Sequence, residues 1–253
     1  MSTATAAELD VVYPESDGKP MADNTVQWDW MVKIVGELRD QYAGQEVFVA
    51  GDLLWYPVEG EPRINAAPDA MVVFGRPAGH RGSYIQWREA GLAPQVVFEV
   101  LSPSNTDDEL DDKLAFYERY GVEEYYFIDP YDHLVRGYVR RGRGLRPVRK
   151  MLGFTSPRLG IRFEKPEAEL LILSADGRPF QTRQERFAEL RGEIERSAEL
   201  LAEERKRGAQ DRKRALAEAK RADGEAKRAE AEARQKEKLA AKLRELGIDP
   251  ETL

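Results

Sequence analysis

The run Val96-Val97-Phe98-Glu99-Val100-Leu101 is apolar at every position but one, and that exception, Glu99, most constrains what this chain can fold into. Continuous apolar character over a short segment is the pattern of a strand covered on both faces. Alternation puts Val97, Glu99 and Leu101 on one face and Val96, Phe98 and Val100 on the other. Glu99 therefore carries a carboxylate into a core position. Left alone there it would cost several kcal/mol, so the fold must bring it a cation, a proton or a metal ion.

Two candidates lie nearby in sequence. Ser102-Pro103 stops the strand, and Thr106 followed by Glu109 forms a capping box that opens a helix from Asp107 to Tyr120, closed by Gly121. Leu110, Leu114 and Tyr117 make its inward stripe, and Lys113 lies between that stripe and Tyr120, where its ammonium reaches toward the sheet. The second candidate is Asp69, which follows Pro68 at the mouth of the strand AMVVF. Strands close in sequence often pair, which predicts Asp69 beside Glu99. Two acidic side chains facing one gap, with the backbone carbonyl of Val100, make a hard oxygen site suited to Mg²⁺ or Mn²⁺. The simpler alternative is a Glu99–Lys113 ion pair that only closes the core.

Around this centre the chain alternates helix and strand. Residues 1–24 read as an extended, turn-rich lead-in with Pro14, Gly18 and Pro20. Val26, Trp30, Ile34 and Leu38 recur at helical spacing and predict a helix from Thr25 to Tyr42. VFVAGDLLWYP is two short strands broken at Gly51-Asp52, a long loop spans Gly75 to Pro94, EYYFID is another strand, and LVRGYVR with LRPVRK forms a hairpin. The prediction is an α/β domain over residues 25–180, a mixed sheet flanked by helices. Residues 181–253 form a long, charged, Ala-rich helix with an apolar seam at Phe187, Leu190, Ile194 and Leu201, and a closing patch at Leu239, Leu243, Leu246 and Ile248. That seam predicts a coiled coil and a homo-oligomer, with a dimer as the simplest form.

Composition excludes several chemistries. The chain has no cysteine, so thiolate sites and disulfides are out, and its two isolated histidines, His80 and His133, leave little for a zinc site or a His-based triad. No segment has the roughly 20 apolar residues of a membrane span, and the first residues lack the basic-then-apolar order of a secretory signal, so a cytoplasmic location is expected. Of a net charge of −7, the segment from Gln181 onward contributes +2 and residues 1–180 therefore −9. Any contact with nucleic acid must be local, because phosphate binding needs basic groups.

Pro68-Asp69, EVLSPS at 99–104, the helix holding Lys113 and Tyr117, and GVEEYYFIDP at 121–130 together resemble the Uma2 family of restriction-endonuclease-like proteins in the PD-(D/E)XK nuclease superfamily. YPESDGKPMAD and VFVAGDLLWYP are also similar to members, and the resemblance covers roughly residues 12–175. It implies a divalent-metal-dependent endonuclease, with nucleic acid, expected to be DNA, as substrate. Asp69 and Glu99 take the two acidic roles, and the usual lysine position is Leu101, so Lys113 stands in for it. Glu15 and Glu37 are candidates for a further N-terminal acid. In the loop GRPAGHRGSYIQWREAGLAP, Arg76, Arg81 and Arg88 surround Tyr84 and Trp87, a mix that can hold phosphates and stack bases; anchoring of the two aromatics on the core is the equal alternative. A different class stays open, in which the site is degenerate and the protein is a nucleic-acid-binding or scaffold module acting through its helical tail.

Overall fold

A computed structural model describes residues 11–18 and 20–245. Leu246 and Ile248 of the predicted closing patch lie outside the described residues, as do residues 1–10 and Lys19 of the lead-in. Helix α1 runs Thr25–Gln41, opened by the Asn24 side chain, which accepts from the Gln27 backbone N–H. Strands β1 (Val47–Ala50) and β3 (Ala70–Phe74) pair antiparallel, and β3 pairs antiparallel with β5 (Val96–Val100). Helix α2 (Asp107–Arg119) follows with the predicted capping box in place, Thr106 and Glu109 each bonding the other's backbone N–H. It carries the chain over to β6 (Glu124–Asp129), which lies parallel to β5. The hairpin β7 (Leu134–Arg141) and β8 (Gly144–Pro147) completes a six-stranded mixed sheet of order β1-β3-β5-β6-β7-β8.

Both faces of this sheet are covered, which is why β5 is apolar at every position but Glu99. On one face Met31, Ile34 and Leu38 of α1 pack on Val72, Phe98 and Tyr126, joined by Ile161, Phe163 and Ile172 from the chain after β8. On the other, Tyr117 of α2 packs with Val97, Tyr125 and Trp55. Trp55 belongs to β2 (Trp55–Tyr56), which pairs parallel with β4 (Tyr84–Ile85) in a small separate ribbon. The predicted long loop of residues 75–94 thus contains β4 and a turn of 3₁₀ helix at Gln86–Arg88. The short strands β9 (Arg162–Glu164) and β10 (Leu171–Leu173) pair with each other.

Helix α3 runs Arg183–Glu245, 63 residues and so about 95 Å of helix at 1.5 Å per residue. Its first turn is fixed to α1. The Gln181 N–H donates to Glu37 Oε1 at 3.1 Å, Arg186 pairs with both Glu37 and Asp40, and Lys33 Nζ lies 3.5 Å from Glu185. From Ala188 onward the chain forms a unit of its own, in which Leu190, Ile194 and Leu201 are exposed along the predicted seam.

Candidate active site

The register of β3 against β5 builds the site. Ala70 lies opposite Phe98, so one step further along the same antiparallel ladder Asp69 lies beside Glu99. Asp69 Oδ2 accepts the Val100 N–H at 2.6 Å, which pins the aspartate to the end of the Glu99 strand. Glu99 is 2 % exposed, and α2 supplies both of its partners: Lys113 Nζ lies 2.7 Å from Oε2, and the Tyr117 hydroxyl donates to Oε1. The three predicted residues therefore meet. The meeting follows from topology, because α2 is the crossover between parallel β5 and β6 and packs on the face that Glu99 shares with Val97 and Tyr125.

The electrostatics are those of too many carboxylates for the cations present. Burial pushes Asp69 up to about 8, and the neighbouring Glu99 charge adds to this against the Val100 N–H and Lys113. Asp52, half-buried, is pushed up to about 6 by burial, then by Asp17, then by Glu99. Burial opposes charge on Lys113, yet the charge and hydrogen bond of Glu99, with Asp69 behind it, outweigh this and raise the ammonium above its ordinary value. Tyr117 is raised by burial and by Glu99, so it stays protonated and donates.

Asp52 is a residue the sequence reading missed. It sits at a positive φ of 48°, its N–H donating to Pro68 O at 2.9 Å. Gly51 before it must be glycine in this arrangement: a Cβ there would lie 2.8 Å from Asp69 O and 2.9 Å from Val35. The Gly51-Asp52 turn is therefore pressed against the Asp69 backbone, and both line a cavity of about 380 Å³ between α1 and the start of α3, with Trp28, Val35 and Arg183. Only the break between two strands, GD, signalled this in the sequence.

Several predicted residues are placed elsewhere. Glu15 lies over Gly82, its carboxylate filling the space a Cβ would need, and the acid of the lead-in whose charge reaches the site is Asp17. Glu37 is buried but committed to Arg186 and the Gln181 N–H. The Val100 carbonyl accepts from Gln27 Nε2 at 3.0 Å, so Val100 contributes chiefly through its N–H to Asp69 rather than as a free ligand. In the loop, Tyr84 is fully buried with its hydroxyl on Leu92 O, which removes it as a base-stacking platform. Trp87 packs edge-on against Tyr13 at 5.0 Å. Arg76 and Arg81 both bond Glu89, at 2.7 and 2.6 Å, and Arg81 lies 4.0 Å over Phe48. These cations hold the loop shut; of the three arginines Arg88 alone is exposed. The EVLSPS motif has a structural use as well: Ser102 and Ser104 both donate to Asp23, and Asp23 N–H donates to Gln27 Oε1 at 2.8 Å, clipping the end of β5 to the start of α1.

The donor set fits a hard divalent ion. It is all oxygen, and Asp69 Oδ1 accepts no hydrogen bond among the described residues. Among those residues no three His, Cys, Asp or Glu gather into a chelating group by themselves. Mg²⁺ is ordinarily held by one or two carboxylates, with water and substrate phosphate completing its shell.

The class defined by fold and site is a mixed-sheet α/β domain with an acidic pair and a lysine at the junction of two central strands. The model of the Uma2 family, described as "Putative restriction endonuclease", matches residues 19–164, and the chain belongs to that family. A crystal structure described as "a putative nuclease belonging to DUF820 from Anabaena variabilis ATCC 29413" is similar at a TM-score of 0.41 and 15% identity, covering 55% of this chain and 74% of that one. No curated protein matches the chain. Among the described residues no helix is long and apolar enough to cross a membrane.

Proposed function

We propose that the protein is a divalent-metal-dependent nuclease that hydrolyses phosphodiester bonds, with DNA as its expected substrate. The observation that carries this is the side-by-side placement of Asp69 and Glu99 across β3 and β5, with Lys113 2.7 Å from Glu99. Asp69 and Glu99 would hold Mg²⁺ or Mn²⁺, which when bound polarises phosphate and acidifies water. Lys113 pairs with Glu99 and offers a fixed positive charge beside the place where phosphate charge develops. Tyr117 fixes the Glu99 carboxylate by its hydroxyl, and the Val100 N–H fixes Asp69. A site without turnover is the competing reading, and one observation favours it: both Glu99 oxygens already have partners within the protein.

Purified protein incubated with supercoiled and linear DNA and with RNA, in Mg²⁺ or Mn²⁺, should cut one of them, and Glu99→Gln should not. Wild-type turnover that matches Glu99→Gln under every ion sinks the enzyme. Calorimetric titration with Mn²⁺ then separates a metal site from the scaffold alternative, which takes up no ion.

We also propose that α3 joins two copies through Phe187, Leu190, Ile194 and Leu201, all exposed on the single chain. Removing residues 188–253 should leave a particle with the mass of one shortened chain by light scattering, and a shortened chain that still has the mass of two copies removes the coiled coil.

A further inference from the structure

The β7–β8 hairpin and its continuation, residues 134–150, hold seven Lys and Arg and no Asp or Glu, in a chain of net charge −7. One of the seven, Arg140, is committed to structure, donating to Val122 O and Glu118 O at 2.7 Å each. The other six are exposed, and among the described residues none of them pairs with a carboxylate. This is the opposite of the 75–94 loop, where Glu89 takes up Arg76 and Arg81.

The register ties Arg136, one end of this patch, to the site, while strand alternation turns Arg141 and Arg146 to the opposite face at the free edge. Glu99 lies opposite Phe127 on β6, and Phe127 opposite Arg136 on β7, so the three form one row across the sheet. Arg136 packs over the Phe127 ring at 5.3 Å. Two strand spacings put its backbone about 10 Å from that of Glu99. From Arg136 the strand runs five residues to Arg141, about 17 Å, and then turns through Arg143 into β8, the free edge of the sheet. One DNA strand offers a phosphate about every 3.4 Å of axis, so this length faces about five of them. A lone phosphate would need one or two such cations. Protection of a sheet edge asks only for scattered charge, and an acidic protein could supply it with glutamate; neither explains a run of one sign.

We propose that the β7–β8 hairpin is a backbone-binding edge, on which about five consecutive phosphates of a nucleic-acid strand lie along Arg141, Arg143, Arg146 and Arg149, with Arg136 at the end nearest the Glu99 row. The inference rests on the nuclease reading for its substrate class. Its test is binding without cleavage. Anisotropy of labelled 20-mers, as single-stranded DNA, duplex DNA and RNA, is measured in EDTA from 50 to 300 mM KCl, and the three arms say which form fits. The variant R141Q/R143Q/R146Q/R149Q should weaken binding at least about tenfold at the lowest salt. It should also flatten the log–log salt slope by about 3, at 0.7–0.9 for each lost contact. Lysine at the same four positions should restore the slope. If the fourfold variant does not fold, R143Q/R149Q, in the turn and just beyond β8, should flatten it by about 1.5. A matched variant on α3, K206Q/R207Q/K213Q/R214Q, should leave it unchanged. An unchanged slope in the hairpin variants overturns the proposal, as does an equal loss in the α3 variant or tighter binding of poly-glutamate than of any nucleic acid. Hairpin-dependent binding with no cleavage under any metal ion would sink the nuclease reading and leave this edge standing.

Discussion

Asp69→Asn is expected to give a protein that is more stable than wild type at pH 8 and has lost its metal-dependent activity. Asp69 is 8 % exposed and its pKa is raised to about 8, first by burial and then by Glu99. The sign follows from proton binding. The metal-free native state holds this proton more tightly than the unfolded chain, so stability falls as pH climbs from about 4 toward 8. A shift of that size corresponds to a ceiling of about 6 kcal/mol, and relaxation around the site brings the expected loss to about 2–3 kcal/mol. Asparagine removes the charge and keeps an oxygen for the Val100 N–H. Urea unfolding in EDTA should therefore show the variant about 2 kcal/mol ahead at pH 8 and level with wild type near pH 4. Cleavage should drop about 10²-fold or more, the scale for removing one group that acts on developing charge. A variant no more stable at pH 8 would mean that burial does not hold Asp69 protonated.

The second large effect belongs to Lys113. Lys113→Met strands Glu99, 2 % exposed, with the Tyr117 hydroxyl as its remaining partner. Breaking a fully buried pair costs about 3–5 kcal/mol. The Lys113 side chain is 38 % exposed, so solvent takes up part of that, and about 2 kcal/mol is expected. The double variant Glu99→Gln/Lys113→Met should recover most of it, because no charge is then left unpaired. A cycle of four urea curves reads the coupling. Additive losses would show that Lys113 acts only through its aliphatic stem. All three variants should be inactive.

The alternation of β5, the capping box of α2 and the helical spacing of α1 are local patterns, and each was legible in the sequence. So was the meeting of Asp69, Glu99 and Lys113, because an antiparallel neighbour and a crossover helix leave few ways to arrange three adjacent segments. What escaped was long-range partner choice. Glu89 lies eight residues from Arg81 and thirteen from Arg76, across a ribbon whose two-residue strands carry almost no periodic signal, so the loop arginines looked free. Tyr84 stood open between a stacking platform and a core anchor because nothing local shows that β2 would pair with it. Tyr117 was placed on the inward stripe as an apolar residue; its hydroxyl on Glu99 depends on the depth at which α2 docks. Glu37 faced the right helix surface and was taken by Arg186, 149 residues later.

The Val100 peptide is bonded on both sides, its N–H to Asp69 and its carbonyl to Gln27, and Gln27 in turn accepts from the Asp23 N–H while Asp23 accepts from Ser102 and Ser104. These bonds pin the two peptide units that flank the Val100 Cα, one to the aspartate of the site and the other to the opening turn of α1. Val100 is thus the one residue of β5 that anchors both, and α1 in turn forms a wall of the cavity beside Asp69. A change at Gln27 that shifts this residue would therefore be felt at Asp69 without touching any carboxylate.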